Sequence, residues 1–254
     1  MTSRYRFPAR RAAPTAVIRR LSQFAHLSFA DQELLAGLDD WRHDPAGAEL
    51  LRRHGPAQPR ALIAGWAAEV RWMRDGRRQI LDFVLPGDVF CLNRHFGAPI
   101  PCAVVALTPV QTLDATPLLR AMADEVGHEA LAAACHIGAM LDEYALADQA
   151  VRLGRMTAFE RIAHLICELR ARMLRAGLGH EDQYPFPLTQ EMLADAVGLS
   201  VVHVNRVLQQ MRRDQLIVLH AGRLTIRDPD ALARLAEYEA PPLPDTSSTA
   251  KPMK

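Results

Sequence analysis

The chain of 254 residues balances 30 Lys and Arg against 29 Asp and Glu, and 49% of it is hydrophobic, a composition that fits a globular protein with a sizeable core and room for two domains. A formal net charge of +1 provides no bulk attraction to a polyanion, so affinity for nucleic acid has to come from local placement of charge. Cys91, Cys102, Cys135 and Cys167 include no CxxC pair, which excludes zinc ribbons and iron–sulfur clusters of recognisable spacing, and no apolar run approaches the roughly 18 residues of a membrane helix.

From the N-terminus, the first twenty residues hold six Arg and no acid, without the apolar stretch of a secretory signal. Residues 1–14 read as a disordered basic arm, with an organellar transit peptide as the competing reading; the expected location is cytoplasmic. Over residues 15–38, Leu21, Phe24, Leu27, Leu34 and Leu35 fall at helical spacing, and Ser28 is placed to cap a short helix. Residues 39–114 change texture. Apolar runs such as ALIAGWAAEVRWM, QILDFVL and CAVVAL alternate with the turn signals DGRR, PGD and GAPIP, the pattern of a β-sandwich or roll. RWMRDGRRQILDF is the clearest hairpin, with Asp75 and Gly76 at its tip.

Residues 116–154 are helical in texture. Ala130, Ala134, Ile137, Leu141, Tyr144 and Val151 follow a 4-3-4-3 spacing, with Asp148 in the one broken slot. Such a seam predicts a two-stranded coiled coil, hence a homodimer, whereas a core helix lying on its own roll is the alternative. Residues 157–176 form an amphipathic helix with Thr157 and Glu160 as a capping box and Gly177 as its stop. After the loop GLGHEDQYPFP come helices over 188–197 and 200–213, two short strands about Ala221-Gly222, and a last helix over 229–239. Residues 240–254 have the Pro/Ser/Thr composition of disorder.

The pair of helices at 188–213 carries the most specific pattern. Counting from Gln190, Ala194 allows close helix crossing, Gly198 accepts the positive φ of a tight turn, and Leu193, Val197, Leu199, Val204 and Val207 take the inward slots. Ser200 caps the second helix, and the hairpin that follows completes a winged helix-turn-helix. The outward face then presents Val201, Val202, His203, Asn205, Arg206 and Gln209. Arg206 suits guanine, Asn205 adenine and Val202 a thymine methyl, with His203 and Gln209 beside them. Thr189, Gln190, Ser200, Arg212, Arg213 and the wing residue Arg223 are candidates for the phosphate backbone. From Gly154 to Tyr238 there are 11 Arg and 10 acids, a net of +1, so double-stranded DNA has to be held by placement or by the basic arm.

These motifs, with GWAAEVRWMRDGRRQILDFVLPGD and GRMTAFERIAHLICELRARM, resemble the Crp/Fnr superfamily of bacterial transcription regulators over about residues 20–238. The resemblance implies an α+β chain with an N-terminal double-stranded β-helix, a jelly-roll-like cyclic-nucleotide-binding-like β-roll over 15–115. A dimerisation helix region over 116–153 and a winged helix-turn-helix over 154–239 follow. It also implies a homodimer on a palindromic DNA site, with RNA polymerase as a further partner. Where cyclic-nucleotide binders of the family carry Gly-Glu and then Arg-Ser or Arg-Thr, this chain has Cys91-Leu92 and Pro101-Cys102, so cyclic AMP is not the expected effector. Arg94 is the one replacement cation in that effector pocket. Cys91, His95 and Cys102 raise metal, haem or thiol sensing there against plain burial, and neither cofactor nor metal is expected. The relatives' recognition-helix Glu is replaced by Val202, so a different DNA sequence should be read. The rival class is a ligand-binding regulatory subunit whose helices dock a protein; nothing in the sequence assembles an enzyme site or a membrane anchor.

Overall fold

The computed structural model describes residues 14–92, 99–124, 127–180 and 182–243; the basic arm before Pro14, Arg94, His95 and most of the C-terminal tail lie outside the described residues. Two short helices come first, α1 (Thr15–Ser22) and α2 (Phe29–Ala36). Ser28 caps α2 as expected: its hydroxyl accepts from the Asp31 N–H while the Asp31 carboxylate accepts from the Ser28 N–H.

Eight strands follow: β1 (Trp41–Asp44), β2 (Glu49–Leu51), β3 (Arg60–Ala64), β4 (Ala67–Trp72), β5 (Arg78–Val84), β6 (Val89–Phe90), β7 (Ala103–Ala106) and β8 (Val110–Asp114). They form two antiparallel four-stranded sheets, ordered β1-β8-β3-β6 and β2-β7-β4-β5. The apolar run 61–73, continuous in sequence, is divided between the two sheets at Gly65. That glycine has φ +83°, and a Cβ there would lie 2.1 Å from the Pro109 carbonyl oxygen, so only glycine fits the corner. The inner faces of the sheets bury Leu62, Ala67, Val84, Phe90, Val104 and Val110 between them. The β4–β5 hairpin turns over Asp75 and Gly76, as the sequence predicts.

Helix α3 (Thr116–Asp124) and the long α4 (Glu129–Arg155) come next. The first half of α4 lies with α1, α2 and α3 on the β1-β8-β3-β6 sheet, where Leu131, Ala134, Cys135 and Leu141 join one core with Leu113 and Leu118. This corrects the seam drawn from sequence. Ala134 and Leu141 are buried in the chain's own core and are not available to a partner, whereas Tyr144 and Val151 are exposed. Ile137 and Met140 are half-buried against the same core, and the apolar face left open runs through Tyr144, Ala147 and Val151.

Helix α5 (Ala158–Arg175) begins at the Thr157–Glu160 capping box. It is followed by β9 (Gln183–Pro185), α6 (Gln190–Val197), α7 (Val201–Arg213), β10 (Ile217–His220), β11 (Arg223–Ile226) and α8 (Pro229–Leu235). The sequence treats 177–187 as loop. Instead, β9 pairs with β11 to give the wing a third strand, ordered β10-β11-β9, and Tyr184 is wholly buried with its hydroxyl on the Ile166 carbonyl at 2.8 Å. Helix α8 is shorter than expected, ending in a turn with Glu237 at φ 49°. The core of this unit continues into the outer face of the β2-β7-β4-β5 sheet, through Trp66, Val70, Ile80 and Phe83. Roll and winged helix therefore share apolar packing.

Candidate DNA interface

The reading unit is built as the spacing requires. Gly198 ends α6 at φ 65°, ψ 38°, a left-handed conformation that ends helices at little cost only for glycine. Ser200 then caps α7 by accepting from the His203 N–H at 3.2 Å. Val204, Val207, Leu208 and Met211 are buried against α5 and α6, which fixes α7's outward face. A Cβ on Gly198 would also meet Leu153 Cδ2 at 3.1 Å. Gly198→Ala is expected to cost about 1–2 kcal/mol and to lower the thermal midpoint by a few degrees without changing helix content, which a circular-dichroism melt reads directly.

On that face Val202 is 80% exposed and Val201 40%, so both valines point away from the core. Arg206 and Gln209 are exposed, and His203 is half-buried. Asn205 is more restrained than the sequence suggests: its Oδ1 accepts from Gln190 Nε2 at 3.4 Å and from Gln209 Nε2 at 3.3 Å. The acceptor that a bidentate adenine contact needs is thus already engaged, and Asn205 links α6 to α7. Thr189 caps α6 by accepting from the Met192 N–H at 3.2 Å. Arg212 and Arg213 are exposed at the end of α7. Arg223 is half-buried, and its Nε donates to Gln183 Oε1 at 2.9 Å across the wing, leaving the outer guanidinium nitrogens for a phosphate. The β10–β11 turn places Ala221 and Gly222 at φ 48° and 73°, a tight two-residue hairpin of the kind expected.

The roll carries a cavity of about 410 Å³ against α1 and α4. Cys91, Leu92 and Cys102 are among the residues that line it. Its described acids are Glu69, Asp82, Asp88, Asp142 and Glu143, against Arg20 and Arg172. That excess of carboxylates is the reverse of what an anionic ligand needs. The Cys102 thiol donates to Glu69 Oε2 at 3.1 Å. No cluster of three or more His, Cys, Asp or Glu able to hold a metal occurs among the described residues; His95, the middle member of the Cys91–His95–Cys102 grouping, lies outside them.

Sequence reasoning missed the polar junction between roll and reading unit. Arg172 of α5 donates to Asp82 at 2.6 Å, to Asp88 at 2.8 Å and to the Phe83 carbonyl at 2.5 Å. Arg152 of α4 meets Glu168 and His164, and Arg78 of β5 meets Asp195 of α6 at 2.5 Å. The only local hint was Glu168 four residues before Arg172 on a largely apolar helix; the other partners are distant in sequence.

Residues 160–235 match the Crp-like helix-turn-helix domain family. Nitrogen fixation regulation protein FixK of Bradyrhizobium diazoefficiens is 30% identical over 184 residues, covering 69% of this chain and 72% of that protein. The transcriptional activator protein FnrL of Cereibacter sphaeroides is 29% identical over 175 residues, 65% of this chain and 67% of that protein. Among solved structures, FixK2 from Bradyrhizobium japonicum superposes with a TM-score of 0.67 at 24% identity, over 79% of this chain and 98% of that one. A CRP-family transcriptional regulator from Thermus thermophilus gives 0.57 at 25% identity, over 78% and 97%. With the roll, the long helix and the capped reading helix in place, these likenesses show that the chain belongs to the Crp/Fnr family of DNA-binding transcription regulators.

Proposed function

We propose that the protein acts as a homodimer whose two α7 helices enter successive major grooves of a palindromic operator. The observation that carries this reading is the open apolar stripe of α4, with Tyr144 40% and Val151 50% exposed, on a helix packed against the reading unit. Pairing two such stripes about a two-fold axis buries them and presents two copies of α7. Val202, His203, Arg206 and Gln209 face the bases, with Asn205 steadied between Gln190 and Gln209. Thr189, Gln190 and Ser200 offer the helix starts to phosphates, and Arg212, Arg213 and Arg223 flank them. RNA polymerase is the further partner, in keeping with the activator name that FnrL carries. The acidic cavity disfavours a cyclic nucleotide, so the roll works with another effector or with none.

Selection of bound duplexes from a random pool tests the reading. The expected product is a palindrome, with Arg206→Ala losing about 1–3 kcal/mol of affinity and relaxing one base position per half-site. The same consensus and affinity in that variant would remove Arg206 from the interface. A regulatory subunit that docks protein instead would bind no duplex even at low salt.

A further inference from the structure

Three parts of the molecule meet at one backbone carbonyl. The last-turn oxygen of Ala196 in α6 accepts from Gln149 Nε2 of α4 at 2.7 Å and from Gln79 Nε2 of β5 at 3.0 Å. Gln149 is 5% exposed. Its amide also donates to the Ile80 carbonyl at 3.3 Å, and its Oε1 accepts from Arg152 Nη1 at 2.5 Å. One side chain therefore joins the long helix to the roll and to the first helix of the reading unit, with its amide donors and acceptor all engaged. The adjacent Val197 carbonyl accepts from Arg161 at 3.2 Å, so the end of α6 is satisfied by protein groups from outside the helix.

By itself the covalent link between α4 and α5 does not fix this arrangement. It runs through Met156 and Thr157, both extended, with ψ 147° and 165°, and rotation there would swing the reading unit relative to α4. The buried joint opposes that swing: Gln149 and Arg152 hold α4 to α6 and α5, and the Arg78–Asp195 pair closes its outer edge.

We propose that Gln149 is a specificity-determining positioning residue that sets the half-site spacing the dimer reads. This rests on the symmetric-dimer reading above: if α4 lies at the two-fold axis, the angle between α4 and α6 fixes the separation of the two α7 helices. Gln149 touches no base; it acts through Ala196 on the whole reading unit. Spacing is then a property of the joint, whereas base preference belongs to α7.

The test uses full-length protein on duplexes carrying the selected half-sites at their selected spacing and at spacings one base pair longer and shorter. Each inserted pair moves a half-site by about 3.4 Å and roughly 35° around the axis. Wild type is expected to bind the shifted duplexes at least about tenfold more weakly. Gln149→Met, which keeps side-chain length and removes the amide, is expected to reduce that discrimination to about threefold or less, with dimerisation and the preferred bases of each half-site unchanged. Asp195→Ala, at the half-exposed edge of the joint, should move discrimination in the same direction and decides the matter if Gln149→Met folds poorly. Wild-type discrimination in folded Gln149→Met, or an equal loss of affinity at every spacing, would overturn the proposal. Wild type indifferent to spacing, or bound as tightly to one half-site, would instead overturn the dimer reading, and this proposal with it.

Discussion

Replacing Arg172 by alanine is expected to cost the fold about 3–5 kcal/mol, the penalty for leaving buried charge without its partner. The guanidinium forks between Asp82 and Asp88, also donates to the Phe83 carbonyl, and lies 3.4 Å from Glu168. Its side chain is 10% exposed, as is that of Asp88. Burial works against its charge, but the carboxylates of Asp82 and Glu168 outweigh that and raise its pKa above the ordinary arginine value. Without Arg172, Asp88 keeps Arg20, whereas the described partners of the Asp82 carboxylate reduce to the Phe83 N–H. For a chain of this size the loss corresponds to a fall of about 6–20 °C in thermal midpoint. Arg172→Lys should recover only part of it, because an ammonium cannot reproduce the planar fork. Arg213→Ala, at an exposed position on α7, is the control and should stay within about 0.5 kcal/mol. An equally small change in Arg172→Ala would mean that the junction carboxylates are solvated and that the roll and reading unit are held by apolar packing alone.

That junction also shows where reading the sequence stops. The winged helix was legible almost residue by residue because its rules are local: a left-handed glycine at 198, a cap at 200 and valines at 204 and 207 decide its register within twenty residues. The β4–β5 hairpin was legible as punctuation at Asp75 and Gly76, whereas Gly65 lay unmarked inside the apolar run 61–73 that it divides between the two sheets. Arg172 and Asp88 are 84 residues apart, and Arg78 and Asp195 are 117, so nothing local marks them as partners. Strand β9 was hidden for a similar reason: three residues ending in Pro185 become a strand only because β11 offers them a ladder.

The α4 seam failed in a more instructive way. Two apolar phases share Ile137, Tyr144 and Val151, one adding Leu141 and the other Met140 and Ala147. The sequence favours Leu141, the stronger hydrophobe. The roll does too, and it buries that side chain at 6% exposure. What stays exposed is Tyr144, Ala147 and Val151, because Ile137 and Met140 also pack on that core, an outcome that follows from the tertiary core and not from periodicity. Asn205 and Arg223 have a parallel explanation, since residue type suggested free base and phosphate contacts. Gln190 and Gln183, both distant in sequence, turn each into a partly engaged group. Val202 has no such claim on it and is 80% exposed.

Acid is expected to weaken the same junction through His164. This residue is 3% exposed on α5, with its ring edge-on to Tyr238 at 5.1 Å and Nδ1 3.1 Å from Arg152 Nη2. An arginine donates only, so Nδ1 accepts, the ring proton sits on Nε2, and the folded state holds a neutral imidazole. Burial, and then the Arg152 charge, lower its pKa from 6.5 to about 4. Glu168, the nearby carboxylate, is paired with Arg152. Because the folded pKa is depressed, the unfolded chain takes up a proton below pH 6.5 that the folded chain refuses until about pH 4. The stability tied to the neutral ring is therefore complete above pH 6.5 and declines as pH falls. By pH 4 about 3 kcal/mol has gone, of which about 2 kcal/mol is lost by pH 5. His164→Gln keeps a neutral acceptor facing Arg152 and has no proton to take up. Urea midpoints measured from pH 7.5 down to 4.5 should then converge, with wild type falling more steeply than the variant. Parallel curves would show that His164 titrates alike in both states and that Arg152 does not bear on it. Convergence would place an acid-sensitive group beside the residue that brackets Gln149, so loss of spacing discrimination on DNA should begin in the same pH window as the loss of stability.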